Sequence, residues 1–210
     1  MNRIPFPDMK YPLVAILRGL TPAETPAAIE ALLGAGFRAI EIPLNSPDPF
    51  KSIEIAVKMA PADALIGAGT ILTKADVDRL DDVGGRLFVS PNVDVPVLSH
   101  AVSKKMVTLP GIFTPTEALA AAATGATGLK FFPAGALGPS GITAIRTVLP
   151  PDLLIAAVGG VSDQNFGDYA KVGIKAFGLG SSLYQTGMDA RDIAARAKAT
   201  IDAYDRVFGA

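Results

Sequence analysis

Short apolar runs alternate with longer segments that carry apolar residues every three to four positions, and the alternation persists along the chain. Runs of four or five residues rich in Val, Ile, Leu and Phe read as buried strands; the segments of period 3.6 read as helices. The predicted strands are 13–17, 38–42, 64–68, 86–90, 106–109, 128–132, 153–157 and 175–179. The predicted helices are 23–34, 48–59, 74–82, 94–104, 115–123, 139–148, 163–171 and 189–207. Thr21-Pro22, Thr73, Thr114-Pro-Thr-Glu117 and Ser162-Asp163 supply N-cap chemistry, and Gly36, Gly84-Gly85, Gly125 and Gly173 supply stops before the following strands.

Eight such units with no linker or composition shift predict one α/β domain over residues 1–210, a closed (β/α)8 TIM barrel of parallel strands. An open doubly wound sheet is disfavoured, because the first strand ends in Arg18-Gly19-Leu20-Thr21 without a glycine-rich dinucleotide turn. The first twelve residues precede the barrel and either close its floor or pack as a short helix.

Composition narrows the class. Half of the 210 residues are hydrophobic, 19% are charged and the formal net charge is −1, so the chain suits one large core and offers no basic surface for nucleic acid. The absence of cysteine excludes disulfides, thiolate metal sites and a cysteine nucleophile, and is compatible with the cytoplasm. The N-terminal stretch lacks a signal-peptide core, and the apolar run 118–126 is too short for a bilayer, so no membrane role is expected.

In such barrels the chemistry gathers at the C-terminal strand ends, here Arg18, Glu41, Thr70, Pro91-Asn92, Pro110, Lys130, Gly159-Gly160 and Gly180-Ser181. Lys130 lies in Gly128-Leu-Lys-Phe-Phe-Pro133, and period-two alternation turns Gly128, Lys130 and Phe132 inward. Burial and a nearby cation such as Arg18 would lower its pKa toward a nucleophilic amine; a lysine that snorkels to the mouth or pairs with a carboxylate is the other reading. Glu41, between Ile40 and Ile42, also faces inward and can meet Lys130 across the lumen, as a buried ion pair or as a carboxyl that moves protons beside an imine-forming amine. Glycines after the seventh and eighth strands, Gly159-Gly160 and Gly180-Ser181, predict backbone cradles for a phosphate at helix starts. His100, the one histidine, falls on the fourth helix as a surface or packing residue; Lys104-Lys105 reads as a solvated helix end. One histidine and no cysteine argue against a zinc site or a Ser–His triad at Ser181.

The chain resembles the 2-dehydro-3-deoxy-phosphogluconate/6-phosphogalactonate aldolases. The matching pieces are Ala15-Ile-Leu-Arg-Gly19, Ala39-Ile-Glu-Ile-Pro-Leu-Asn-Ser-Pro47, Ile66-Gly-Ala-Gly-Thr70, Val89-Ser-Pro-Asn92, Pro110-Gly111 with Thr114-Pro-Thr-Glu117, Leu129-Lys-Phe-Phe-Pro133, Ala157-Val-Gly-Gly-Val161 and Gly178-Leu-Gly-Ser181, in family order. Ser90 departs mildly from the threonine more usual there. Glu41-Ile-Pro-Leu-Asn-Ser-Pro47 and Val158-Gly-Gly look like the galactonate branch, since the gluconate branch typically carries a Thr-Leu-Arg-Thr segment and a Thr-Gly-Gly at these places.

The resemblance implies a class I, Schiff-base lyase with no metal or organic cofactor, assembled as a homotrimer and acting in galactonate breakdown. It implies Lys130 as nucleophile and Glu41 as proton carrier. Arg18 and Thr70 would bind the carboxylate or keto region of a phosphorylated keto-deoxy sugar acid. Gly159, Gly160, Gly180 and Ser181 would hold its phosphate, and Val158 would select the galacto epimer. The products would be pyruvate and D-glyceraldehyde 3-phosphate. The gluco epimer as main substrate, another phosphate-binding barrel isomerase or synthase, and a non-catalytic sugar-phosphate binder are the competing readings.

Overall fold

A computed structural model describes residues 3–209. The strands are β1 (Leu13–Ile16), β2 (Ala39–Pro43), β3 (Leu65–Gly69), β4 (Leu87–Val89), β5 (Val107–Leu109), β6 (Gly111–Ile112), β7 (Gly128–Phe131), β8 (Leu154–Val158) and β9 (Ala176–Leu179). The helices are α1 (Thr25–Ala35), α2 (Pro49–Met59), α3 (Lys74–Asp82), α4 (Val95–Ser103), α5 (Pro115–Thr124), α6 (Ala134–Arg146), α7 (Phe166–Ala170) and α8 (Ala190–Phe208). All strand pairs are parallel, in the order β5-β4-β3-β2-β1-β9-β8-β7-β6. The fold is the expected (β/α)8 barrel, and its strands lie within a residue or two of the predicted spans.

The ninth strand arises because the fifth barrel strand is split at Pro110. Its first half, β5, pairs with β4 and its second, β6, pairs with β7. Proline has no N–H to continue a ladder, yet its carbonyl accepts from Lys130 N at 3.0 Å. Below the break no ladder joins β5 to β7. Instead Thr108 and Thr127, both buried, exchange hydrogen bonds: each backbone N–H donates to the other's hydroxyl oxygen at 3.0 Å.

Alternation sorts the strand residues as period two dictates. Leu13, Ala15, Ile40, Ile42, Leu129, Phe131 and Phe177 face the helices, where Phe177 stacks on Phe166 with centroids 4.6 Å apart. Val14, Ala39, Leu65, Leu87 and Val107 fill the lower lumen. Ile4, Phe6 and Met9 pack against this inner cluster, so residues 3–12 close the floor and form no helix.

The caps hold where the chemistry is complete. Thr73 accepts from Asp76 N, and Thr114 with Glu117 forms a reciprocal capping box. At Thr21 the cap sits one turn early: its carbonyl accepts from Thr25 N while α1 proper starts at Thr25. The helix expected from 163 starts only at Phe166, because Asn165 Oδ1 takes the N–H of Ser162 and folds 162–165 into a turn. The helix expected from 139 gains an earlier turn, with a break at Gly138 (φ 71°) ahead of Pro139. His100 lies on α4, its Nε2 2.8 Å from Asp78 of α3. Lys104 is more engaged than a solvated helix end, bridging Asp78 and Asp81 at 3.1 and 3.0 Å.

Candidate active site

Above the lower lumen the inward positions become small: Gly67 and Gly69 on β3, Gly111 on β6, Ala156 on β8 and Gly178 on β9. Barrel interiors are ordinarily packed with branched side chains. Here the missing side chains leave room for two long charged ones. Glu41 and Lys130 are 4% and 8% exposed, as deep as the aliphatic core. Among the described residues neither side chain has a hydrogen-bond partner, and no ion pair within 4.0 Å joins them. The two groups therefore face a shared space without neutralising each other by contact.

Their electrostatics follow from that burial. Desolvation pushes the Lys130 ammonium down to about 8; the Arg18 cation pushes the same way and the Glu41 carboxylate opposes both. Burial raises the Glu41 carboxyl above its ordinary value, against the attraction of Lys130 and Arg18. The Lys130 Nζ stands 4.9 Å from the Phe132 ring centroid.

An open cleft of about 810 Å³ lies at the C-terminal ends of the strands. Arg18, Phe132, Val158, Gly159, Gly160, Gly180 and Ser181 are on its wall. Lys130 and Glu41 do not line that wall: Glu41 is in register with Ile16, which does, and Lys130 with Ala156, two residues before the wall residue Val158. Thr70 also stands off the wall, on the Glu41 side, with a left-handed backbone (φ 55°) that costs a β-branched residue strain. The cleft thus gathers the expected binding residues except Thr70, and Lys130 and Glu41 stand next to it along the strands rather than on its wall.

The glycine loops provide the anion chemistry differently from expectation. Neither leads directly into a long helix: α7 has five residues, and after β9 a single turn closes with Leu183 N and Tyr184 N donating to Gly180 O. What they offer is free backbone N–H. Gly135 N holds the Gly159 carbonyl at 2.8 Å, and Arg196 holds the Ser181 carbonyl at 3.3 Å on the side of α8. The N–H groups of Gly160, Ser181 and Ser182 donate to no group among the described residues. Gly159 and Gly160 both have positive φ, 86° and 77°, and a β-carbon at Gly159 would press on the Phe132 ring at 3.2 Å.

Several wall and supporting residues escaped the sequence reading. Arg18 Nη1 donates to Asn45 Oδ1 at 2.7 Å, and Gly19 N donates to Ser46 Oγ at 2.9 Å, so the loop after β2 fixes the loop after β1. Thr186 completes the fastening by donating to the Arg18 carbonyl at 3.2 Å. Asn45 and Ser46 fall inside a recognisable motif and could have been marked; Thr186 and Tyr184, in the loop before α8, carry no local signal. Among the described residues no three His, Cys, Asp or Glu side chains converge as a metal ion requires.

The family model for KDPG and KHG aldolase matches residues 9–199. The chain belongs to the KDPG and KHG aldolase family. It is 69% identical over 209 residues to the probable 2-dehydro-3-deoxy-6-phosphogalactonate aldolase of Rhizobium meliloti (strain 1021), covering 100% of this chain and 99% of that one. The 2-dehydro-3-deoxy-6-phosphogalactonate aldolase of Escherichia coli (strain K12) is 45% identical over 195 residues, covering 93% and 95%. A solved structure described as native KDPGal superposes with a TM-score of 0.94 at 43% identity, covering 97% of this chain and 98% of that one. This aldolase family works through a Schiff base, which is the chemistry a depressed lysine beside a carboxyl can perform.

Proposed function

We propose that residues 1–210 act as one aldolase domain that cleaves 2-dehydro-3-deoxy-6-phospho-D-galactonate to pyruvate and D-glyceraldehyde 3-phosphate. The observation that carries the reading is the pair Lys130 and Glu41, buried without mutual contact next to a cleft whose rim presents free N–H groups. The neutral Lys130 amine attacks the C2 ketone and, with loss of water, forms a protonated imine. Glu41 takes the C4 hydroxyl proton, through a water. The C3–C4 bond breaks with its electrons flowing into the imine, the aldehyde leaves, and Glu41 returns a proton to the enamine carbon. Hydrolysis then frees pyruvate and the amine. Arg18 and Thr70 hold the carboxylate end. Gly159, Gly160, Gly180 and Ser181 hold the phosphate.

Val158 supports the galacto assignment. It is 7% exposed on the cleft wall beside Gly159 and can donate no hydrogen bond to a C4 hydroxyl of gluco configuration. Borohydride added with pyruvate should leave a reduced pyruvyl adduct on Lys130; mass spectrometry that finds it on another lysine, or nowhere, refutes the mechanism and favours an isomerase or synthase. The galacto substrate should show the higher kcat/KM, and Val158→Thr should gain at least tenfold on the gluco epimer, the worth of one hydrogen bond. Equal values for both epimers would remove Val158 as selector.

The assembly belongs to the same reading. Leu72, Val95, Phe113 and Leu119 are 42–50% exposed on or just before the neighbouring helices α3, α4 and α5, a run of apolar side chains that supports a homotrimer. Light scattering should return three times the 21.6 kDa of one chain. A phosphorylated substrate and a chain without cysteine support a cytoplasmic setting and a place in galactonate breakdown. No helix among the described residues is long and apolar enough to cross a membrane.

A further inference from the structure

Among the described residues the Glu41 side chain has no hydrogen-bond partner, so something else must fix where its carboxylate lies. Across the β2–β3 ladder Glu41 is in register with Gly67, and Gly69 lies two residues further along the same inward face. A β-carbon built on Gly69 would stand 1.5 Å from Glu41 Oε1, 2.1 Å from its Cδ and 2.9 Å from its Cγ. Non-bonded carbon and oxygen atoms sit well over 3 Å apart, so the carboxylate occupies the volume that any side chain at 69 would fill.

Two further facts isolate this contact. Gly69 does not have a left-handed backbone, so conformational freedom is not what requires glycine there, and its virtual β-carbon has Glu41 side-chain atoms as its three nearest neighbours. Gly67 differs, because a β-carbon there would strike the Leu87 carbonyl oxygen at 1.9 Å and push two strands apart. The chain then turns sharply at Thr70 (φ 55°), which ends the strand directly after the seat. We propose that Gly69 is a positioning residue for the reaction, its missing side chain being the seat that holds the Glu41 carboxylate in the lumen. This rests on the reading of Glu41 as proton carrier.

The substitution Gly69→Ala keeps a permitted backbone and meets Glu41 first, since the three nearest atoms to its β-carbon all belong to that side chain. Borohydride trapping of pyruvate on Lys130 should stay within about threefold of the unsubstituted enzyme. Exchange of pyruvate methyl protons with solvent deuterium, which needs the carboxyl, should fall about 10²-fold, and cleavage kcat should fall with it, in the range a misplaced general base costs. Exchange at the original rate, or trapping lost in step with exchange, overturns the proposal. A stability cycle tests the contact apart from the chemistry: Gly69→Ala should lower Tm in the native background and cost less in Glu41→Ala. If Gly69→Ala does not fold, the double variant should; an equal cost in both backgrounds, or a double variant that also fails, overturns the seat. Glu41→Gln with undiminished exchange would instead refute Glu41 as proton carrier and leave the cycle to judge the seat.

Discussion

At the residue scale, the decisive quantity is the fraction of Lys130 that is a free amine. Burial and Arg18 lower its pKa to about 8 and Glu41 resists, so about a tenth is neutral at pH 7 and most is neutral at pH 9. The trapping rate with pyruvate should therefore rise from pH 6 to 9 with a midpoint near 8. Arg18→Met removes a group that lowers this pKa and should move the midpoint up; Glu41→Gln removes one that raises it and should move the midpoint down. Midpoints that stay fixed in both variants would show that the three charges do not act on one another. Both ionisable residues are visible in the sequence because a lone charge interrupts an aliphatic strand and alternation assigns its direction. What sits opposite them is not visible. A glycine in a strand shows that a side chain is missing, but which neighbour uses the space depends on pairing with another strand.

At the element scale, the seam of the barrel is the part least evident from local pattern. The predicted fifth strand stops at Leu109 because Pro110 reads as a terminator, and two residues are too few to announce β6. The Thr108–Thr127 exchange joins residues nineteen apart, one an ordinary strand threonine and the other in the connection just before β7. Thr108→Val should cost about 1–3 kcal/mol, because it leaves the buried Thr127 N–H without an acceptor, and denaturant unfolding should record it. The double variant with Thr127→Val loses both hydrogen bonds and should cost more than either single. The late start of α7 has a similar origin: Ser162-Asp163 has cap residues, but the Asn165 side chain competes for the Ser162 N–H and wins a turn.

At the scale of the whole molecule, the repeated strand–helix alternation fixes a barrel without reference to any single boundary. Short loops place all eight strand ends on one face. The sequence reading left two options for the first twelve residues, since a few apolar positions separated by Pro5, Pro7 and Pro12 have no period; packing of Ile4, Phe6 and Met9 against the lumen decides for the floor. Floor and mouth should separate in experiment. Phe6→Ala should lower stability by about 1–2 kcal/mol, less than a fully buried phenylalanine. It should leave the pH midpoint of trapping unchanged; a shifted midpoint would mean that the floor reaches the catalytic pair.

Pro110 holds one further consequence. The hydrogen bond from Lys130 N to the Pro110 carbonyl is one of the few that close the circle at its weakest joint. Any local parting of that joint admits water to the lysine, returns its pKa toward that of an ordinary amine and switches off imine formation while the other seven strands remain paired. Heating should therefore abolish pyruvate trapping on Lys130 before the barrel melts as a whole, and trapping lost only together with the global unfolding signal would refute such a local event.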